Sequence, residues 1–222
     1  INKIYLTASG GSLLNIPKSK FNKIKLSEIL KHPNWKMGKK ITVDSSTMMN
    51  KVFEIIEAKN IFDLQYQKLS IIIHPKSYLH AIILFNDGMI KIIAHDTTMS
   101  IPIHNTLYVN EQKNLKIKNL DLKKLNNLKL KPIENKKFPV VNILKNLPLK
   151  NSLYETALVS ANDELVNLYL KKLINYTDIT KILLSFLKKN DIKKLKKNFP
   201  KNLSQIMKVN KDVRLQLNSL YI

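Results

Sequence analysis

The sequence predicts an α+β fold: a mixed sheet with helices, followed by a small C-terminal helical bundle. Short β-branched runs, KIYLTAS (3–9), LSIIIH (69–74) and HAIILF with MIKIIAH (80–95), fall in the first half. Between them, apolar residues recur at helical spacing from Met48 to Ile61. From Phe138 onward the helical period takes over completely.

The elements follow in order. KIYLTAS is a strand that ends in a tight turn at Gly10–Gly11. Residues 12–26, with Pro17, read as irregular, and Leu26–Leu30 as a short helix ended near Pro33. HPNWKMGKK (32–40) has no periodicity and carries Pro and Gly, so it is a loop. ITVDS (41–45) alternates and is β-branched, which predicts a short strand. A helix is then expected from Thr47 to Phe62, with Ser45 or Ser46 as its N-cap. Met48, Met49, Val52, Phe53, Ile55, Ile56 and Ile61 form its apolar side, and Asn50, Glu54 and Glu57 its polar stripe. LSIIIH is a buried strand, and residues 80–95 are a hairpin turning at Asn86–Asp87–Gly88. The expected division is an α+β domain over 1–109 with its loop at 31–39, a Lys/Leu/Asn-rich connector over 110–137, and a helical domain over 138–222. Its helices are expected at 138–146, 152–173, 177–189 (capped by Thr177) and about 201–219.

Composition removes several function classes. The 222 residues are 44% hydrophobic, enough for one large domain or two small ones. With no cysteine, a disulfide framework and a thiolate metal site are excluded. No apolar run reaches the roughly 18–20 residues of a membrane span, and INKIYLTASGG does not follow a signal peptide's plan, so no membrane partner is expected. The net charge of +22 would suit nucleic acid. However, Arg214 is the only arginine, and nucleic-acid surfaces rely on the arginine fork. The excess of Lys, Asn and Ile instead matches A/T-rich codon usage, so solvated lysine faces and no nucleic-acid partner are expected.

The rare residues concentrate in KHPNWKMGKKITVDSSTMMNK (31–51). Ser45, Asn50 and Lys51 stand at a helix start, where N–H groups and side-chain donors suit a phosphate. Glu54, one turn on, suits a divalent cation, but one carboxylate does not make a metal site. The alternative for this stripe is a capped, solvated helix. Ser9 in SGG either helps hold a phosphate or belongs to an ordinary turn. His32 and His80 are candidates for substrate contact; His74, His95 and His104 show no partner pattern, and no spacing supports an all-His zinc site. Trp35 and Met37 flank a loop that either tucks into the core or covers a ligand. SANDE (160–164), on a helix, either bonds the neighbouring part of the chain or faces water. No G-x-G-x-x-G and no P-loop occur.

Taken together, TASGG (7–11), the 31–51 block, Glu54, IHPKSYLH (73–80), TTMSIPI (97–103) and ALVSANDE (157–164) resemble the 1-deoxy-D-xylulose 5-phosphate reductoisomerase family, in order and as far as about residue 190. The resemblance implies three parts: a dinucleotide domain, a central catalytic domain and a helical bundle. This chain looks like the last two. It starts at Ile1 and lacks a glycine-rich loop, so the NADPH domain and two further metal carboxylates are expected outside it. The implied reaction turns 1-deoxy-D-xylulose 5-phosphate into 2-C-methyl-D-erythritol 4-phosphate, with NADPH and Mg2+ or Mn2+ as cofactors. Carried over by motif, Ser9, Ser45, Asn50, Lys51 and His80 would bind the substrate, and Met99 would take a further position in the pocket. Trp35 would cover it, His32 and Glu54 would be catalytic as well as substrate-binding, Glu54 would ligate the metal, and Met37 and Gly38 would lie beside NADPH. A homodimer is implied, in the bacterial cytoplasm or a plastid-type organelle. The chain departs from the family at Ser12, Val52, Phe53 and Thr97, where Pro, Gly, Leu and Pro are usual, and at Val109–Asn110, where Trp–Pro is usual. Those departures make a non-catalytic remnant the alternative.

Overall fold

The computed structural model describes residues 1–35, 37–108, 115 and 118–219; Lys36 of the 31–39 loop, residues 109–114, 116 and 117 of the connector, and residues 220–222 lie outside it. The strands are β1 (Lys3–Ala8), β2 (Leu69–Ile73), β3 (Leu79–Leu84), β4 (Ile90–Ala94) and β5 (Lys131–Pro132). The helices are α1 (Leu26–Ile29), α2 (Lys39–Thr47), α3 (Met49–Ile61), α4 (Ser100–Leu107), α5 (Leu122–Leu125), α6 (Leu153–Leu170), α7 (Tyr176–Phe186), α8 (Asn190–Lys194) and α9 (Leu203–Asn218).

The sheet order is β4-β3-β1-β2-β5, with β1 and β2 parallel and the other pairs antiparallel. The chain between β1 and β2 carries α1, α2 and α3, the crossover that a parallel pair requires. α3 packs on β1 and β2, and α6 packs on α2, α7 and α9. One continuous apolar cluster therefore runs from Ile4 and Ile71 through Val43, Val52 and Ile55 to Leu158, Leu165 and Leu183. β4 is different: Ile90, Ile92 and Ile93 are exposed, and its outer edge pairs with nothing among the described residues.

Residues 41–45 depart from expectation, since they are helix, not strand. Strand propensity loses here to local and distant polar contacts. The hydroxyls of Thr42, Ser46 and Thr47 donate back to the carbonyls of Gly38, Val43 and Asp44, a bonding pattern available only in a helical turn. α2 also stacks Lys40 over Asp44 at i,i+4, 2.7 Å apart. The predicted cap at Ser45 or Ser46 is not used: α3 begins after Met48, which adopts the left-handed conformation (φ 70°). Lys18–Lys23 forms a 3-10 helix within the stretch read as irregular. The connector supplies β5 to the sheet edge, where Pro132 is tolerated. α7 is capped by Asn175, paired with Asp178, and not by Thr177.

SANDE faces inward. The Asn162 amide donates to the buried Asp44 carboxylate (2.8 Å), and Lys40 spans Asp44 and Asp163 (2.7 and 2.8 Å). Arg214, on α9, forks onto Asp163 (3.2 Å) and Glu164 (3.1 Å) while its Nε donates to Asn210 (3.1 Å). Burial pushes the Asp44 carboxyl above its usual range; the bonds from Lys40 and Asn162 pull the other way. This network fixes α2, and so the loop leading into it, against α6 and α9.

Candidate active site

β1 ends beside the start of the 31–39 loop. Gly10 and Gly11 both have positive φ (86° and 63°), and a Cβ on Gly11 would lie 2.6 Å from the Ser45 carbonyl oxygen. That close approach brings the end of β1 against α2, so Ser9 and Ser45 come within one cleft. The Gly11 N–H donates to Ser9 Oγ (3.1 Å), and His32 Nε2 lies 3.1 Å from the same oxygen. Two backbone N–H groups, those of Asn34 (3.2 Å) and Trp35 (3.0 Å), donate to His32 Nδ1. Nδ1 is therefore the unprotonated nitrogen, and Nε2–H is the donor to Ser9. Burial lowers the His32 pKa and keeps the ring neutral. Ser9 Oγ thus accepts two bonds, and its own O–H remains as a donor for the cleft.

Asn34 anchors the same loop. Its amide donates to the Pro75 carbonyl (2.6 Å) and to Ser77 Oγ (2.9 Å), in the turn after β2. His74 begins that turn: it is fully buried, and its Nδ1 donates to the Leu128 carbonyl, so the connector is stapled to the end of the sheet.

The left-handed Met48 sets Asn50 and Lys51 in the first turn of α3, with Glu54 one turn on. Asn50 Nδ2 donates to Glu54 Oε1 (2.9 Å), and Lys51 Nζ contacts Glu54 Oε2 (2.6 Å). The Ser45 side chain has no hydrogen-bond partner among the described residues. Burial and then the neighbouring His95 push the His80 pKa down to about 4, with smaller contributions from Lys51 and His74.

Ser9, His32, Trp35, Met37, Ser45, Asn50, Lys51, Glu54 and His80 all line one cleft of about 430 Å³, joined by Met99. Gly38 lines instead an adjoining depression with His32, Trp35 and Met37. Sequence reasoning gave no role to Thr7, Met48 or Ser77, which also line the cleft. Thr7 and Ser77 carried a usable signal, since both fall inside the quoted TASGG and IHPKSYLH stretches. Met48 carried none, because nothing about a methionine announces a left-handed residue.

The donor set fits one ligand of a divalent cation and no more. Glu54 is a hard oxygen donor in the cleft, and no group of three or more His, Cys, Asp or Glu suited to a metal exists among the described residues. At Gly38 a Cβ would meet nothing within 4 Å, and its φ is ordinary (−59°), so no contact among the described residues calls for glycine there. The missing side chain leaves space at the cleft's margin, which suits a flat group lying against the backbone.

Comparison with known proteins gives consistent matches. Residues 1–62 match the family described as 1-deoxy-D-xylulose 5-phosphate reductoisomerase C-terminal domain, and residues 96–216 match DXP reductoisomerase C-terminal domain. The chain is 53% identical to 1-deoxy-D-xylulose 5-phosphate reductoisomerase of Pelagibacter ubique over 220 residues, 99% of this chain and 57% of that protein. It is 32% identical to the apicoplastic enzyme of Plasmodium falciparum over 221 residues, 100% of this chain and 45% of that one. Among solved structures, DOX-P reductoisomerase in complex with NADPH, fosmidomycin and magnesium superposes with a TM-score of 0.90 at 32% identity, over 99% of this chain and 55% of that chain. The Zymomonas mobilis enzyme in complex with NADPH gives 0.86 at 26% identity, over 100% and 56%. The chain thus spans about half the length of the relatives it matches.

Proposed function

Since the chain belongs to the 1-deoxy-D-xylulose 5-phosphate reductoisomerase family, we propose that the protein carrying it converts 1-deoxy-D-xylulose 5-phosphate to 2-C-methyl-D-erythritol 4-phosphate, with NADPH and Mg2+ or Mn2+. The observation that carries this reading is the convergence of Ser9, Ser45, Asn50, Lys51 and Glu54 on one cleft from three separate elements. The chain contributes the catalytic region and the helical region that supports it; the nucleotide domain belongs to a part of the protein outside it.

In this reading the phosphate sits between Ser9, Ser45 and the first turn of α3. Ser9 and Ser45 offer hydroxyl donors, Lys51 a charge, and α3 its N-terminal dipole. His32 is kept neutral by burial, its tautomer is fixed by the Asn34 and Trp35 amides, and it orients Ser9. Trp35 and Met37 shut water out above the substrate, and binding energy at the remote phosphate helps to hold them closed. Glu54 provides one carboxylate for the cation. When bound, the cation supplies charge stabilisation at the substrate oxygens and NADPH supplies the hydride. Gly38 leaves open space for the nicotinamide in the depression that Met37 also lines.

A second copy of the chain is proposed to pair along β4, whose outer edge and apolar Ile90, Ile92 and Ile93 are exposed. The setting is the bacterial cytoplasm or a plastid-type organelle, as the relatives suggest. Among the described residues no helix is long and apolar enough to cross a membrane.

The test is an assay of the complete protein with 1-deoxy-D-xylulose 5-phosphate, NADPH and Mg2+ or Mn2+, alongside Glu54→Gln. Turnover that needs the cation, and that Glu54→Gln loses, supports the reading. No turnover in the unsubstituted protein would leave it a non-catalytic remnant, and full activity in Glu54→Gln would remove the ligand role.

A further inference from the structure

His80 stands where the β3–β4 pairing slips. Leu79 pairs with Ala94 and Ala81 with Ile93, so two steps on β3 face one step on β4. His80 is the extra residue of this β-bulge. A bulge turns its extra side chain out of the regular alternation, and here it turns the ring toward the cleft, which His80 lines.

The re-aimed ring is held from one side by His95, just past the end of β4. The two imidazoles stack with centroids 3.7 Å apart and planes 21° from parallel. His80 Nε2 lies 3.2 Å from the His95 carbonyl oxygen. A carbonyl only accepts, so Nε2 bears the proton and Nδ1 is left with its lone pair. Nδ1 has no hydrogen-bond partner among the described residues. His95 is itself fixed: its backbone N–H donates to the Tyr78 carbonyl (3.0 Å), and its Nδ1–H donates to the Asp96 carbonyl (2.7 Å). The Asp96 carboxylate in turn holds Lys124 of α5 (2.6 Å). The charged or titratable groups acting on His80 are His95, Lys51 and His74, whose charges disfavour the imidazolium, while the His95 carbonyl favours a proton on the ring.

We infer that His95 is a positioning residue: its stacked ring and carbonyl lock His80 in the Nε2–H form, so that His80 offers the cleft an acceptor for a substrate hydroxyl and not a donor for the phosphate. This rests on the functional reading above, and it narrows it. The anionic end of the substrate is served by Ser9, Ser45 and Lys51, and a polyol hydroxyl is what an unprotonated Nδ1 recognises.

The experiment uses the complete protein with 15N-labelled histidine. The unsubstituted protein should show His80 protonated at Nε2 and not at Nδ1. His95→Phe keeps a flat ring and the backbone carbonyl, and should keep both the tautomer and KM. His95→Ser removes the stack; it should give mixed tautomers and raise KM about tenfold with kcat nearly unchanged, the scale of one lost aromatic contact. A proton on Nδ1 of His80 in the unsubstituted protein overturns the proposal. So does a His95→Ser variant with unaltered tautomer and KM. Should His95→Ser fail to fold, a His95→Phe variant with Nδ1 protonated would still refute it. Absence of turnover in the unsubstituted protein would count against the functional reading alone, because the tautomer is read without substrate.

Discussion

Lys51 Nζ and Glu54 Oε2 lie 2.6 Å apart in the lining of the cleft, so the positive and negative groups proposed for two different ligands neutralise each other. In the proposed function, arrival of a phosphate would give the ammonium a new partner and release the carboxylate, which would link the two binding events through one side-chain pair.

Lys51→Gln in the complete protein is expected to raise KM for the phosphorylated substrate by roughly 10- to 100-fold, the loss of a hydrogen bond to a charged group. With the ammonium gone, Mn2+ binding in the absence of substrate should tighten, read by electron paramagnetic resonance. Unchanged KM together with unchanged Mn2+ affinity would dissolve the link.

Gly11→Ala is expected to destabilise the protein by about 1 to 3 kcal/mol or more, since it combines a positive φ with a Cβ pressed against backbone. Because Gly11 spaces Ser9 from Ser45, KM should rise as well. Urea unfolding with steady-state kinetics checks both. Gly38→Ala, which has open space and an ordinary φ, should be nearly neutral in the same unfolding experiment.

Asn162→Ala should cost about 2 to 3 kcal/mol, because it leaves the buried Asp44 carboxylate short of a donor. Arg214→Lys keeps the charge but loses the fork that reaches Asp163 and Glu164, and about 1 kcal/mol is expected at this half-exposed site. Denaturant midpoints decide each case; an unaltered midpoint for Asn162→Ala would mean the network holds nothing in place.

His80 takes up a proton at about pH 4 in the folded protein, against 6.5 for an ordinary histidine. Between those values the unfolded chain binds more protons, so stability falls as pH drops from about 6.5 towards 4 and is level above 7. His80→Gln should flatten that part of the urea-midpoint curve relative to the unsubstituted protein. Parallel curves over the whole range would contradict the assignment.

Strands β1 and β2 and the long C-terminal helices were legible because each buries apolar residues with a clear period, and β3 and β4 because their β-branched runs flank the Asn86–Asp87–Gly88 turn. ITVDS was not, because its helical state depends on hydroxyl back-bonds and on Asn162, 118 residues from Asp44. β5 escaped notice as two residues with a proline, a strand only by virtue of the edge it joins. The residue types of the site were readable, and the family resemblance gave them roles. Their chemistry was not: that Ser9 remains a donor follows from which nitrogen of His32 the Asn34 and Trp35 amides face, a geometric fact with no trace in composition.

Arg214 stands apart by its shape. The 38 basic residues of this chain include one arginine. That one guanidinium touches two carboxylates and an amide at once, a task no ammonium can copy in a single pose. At this position the direction of the donors, and not the amount of charge, is what joins α9 to α6.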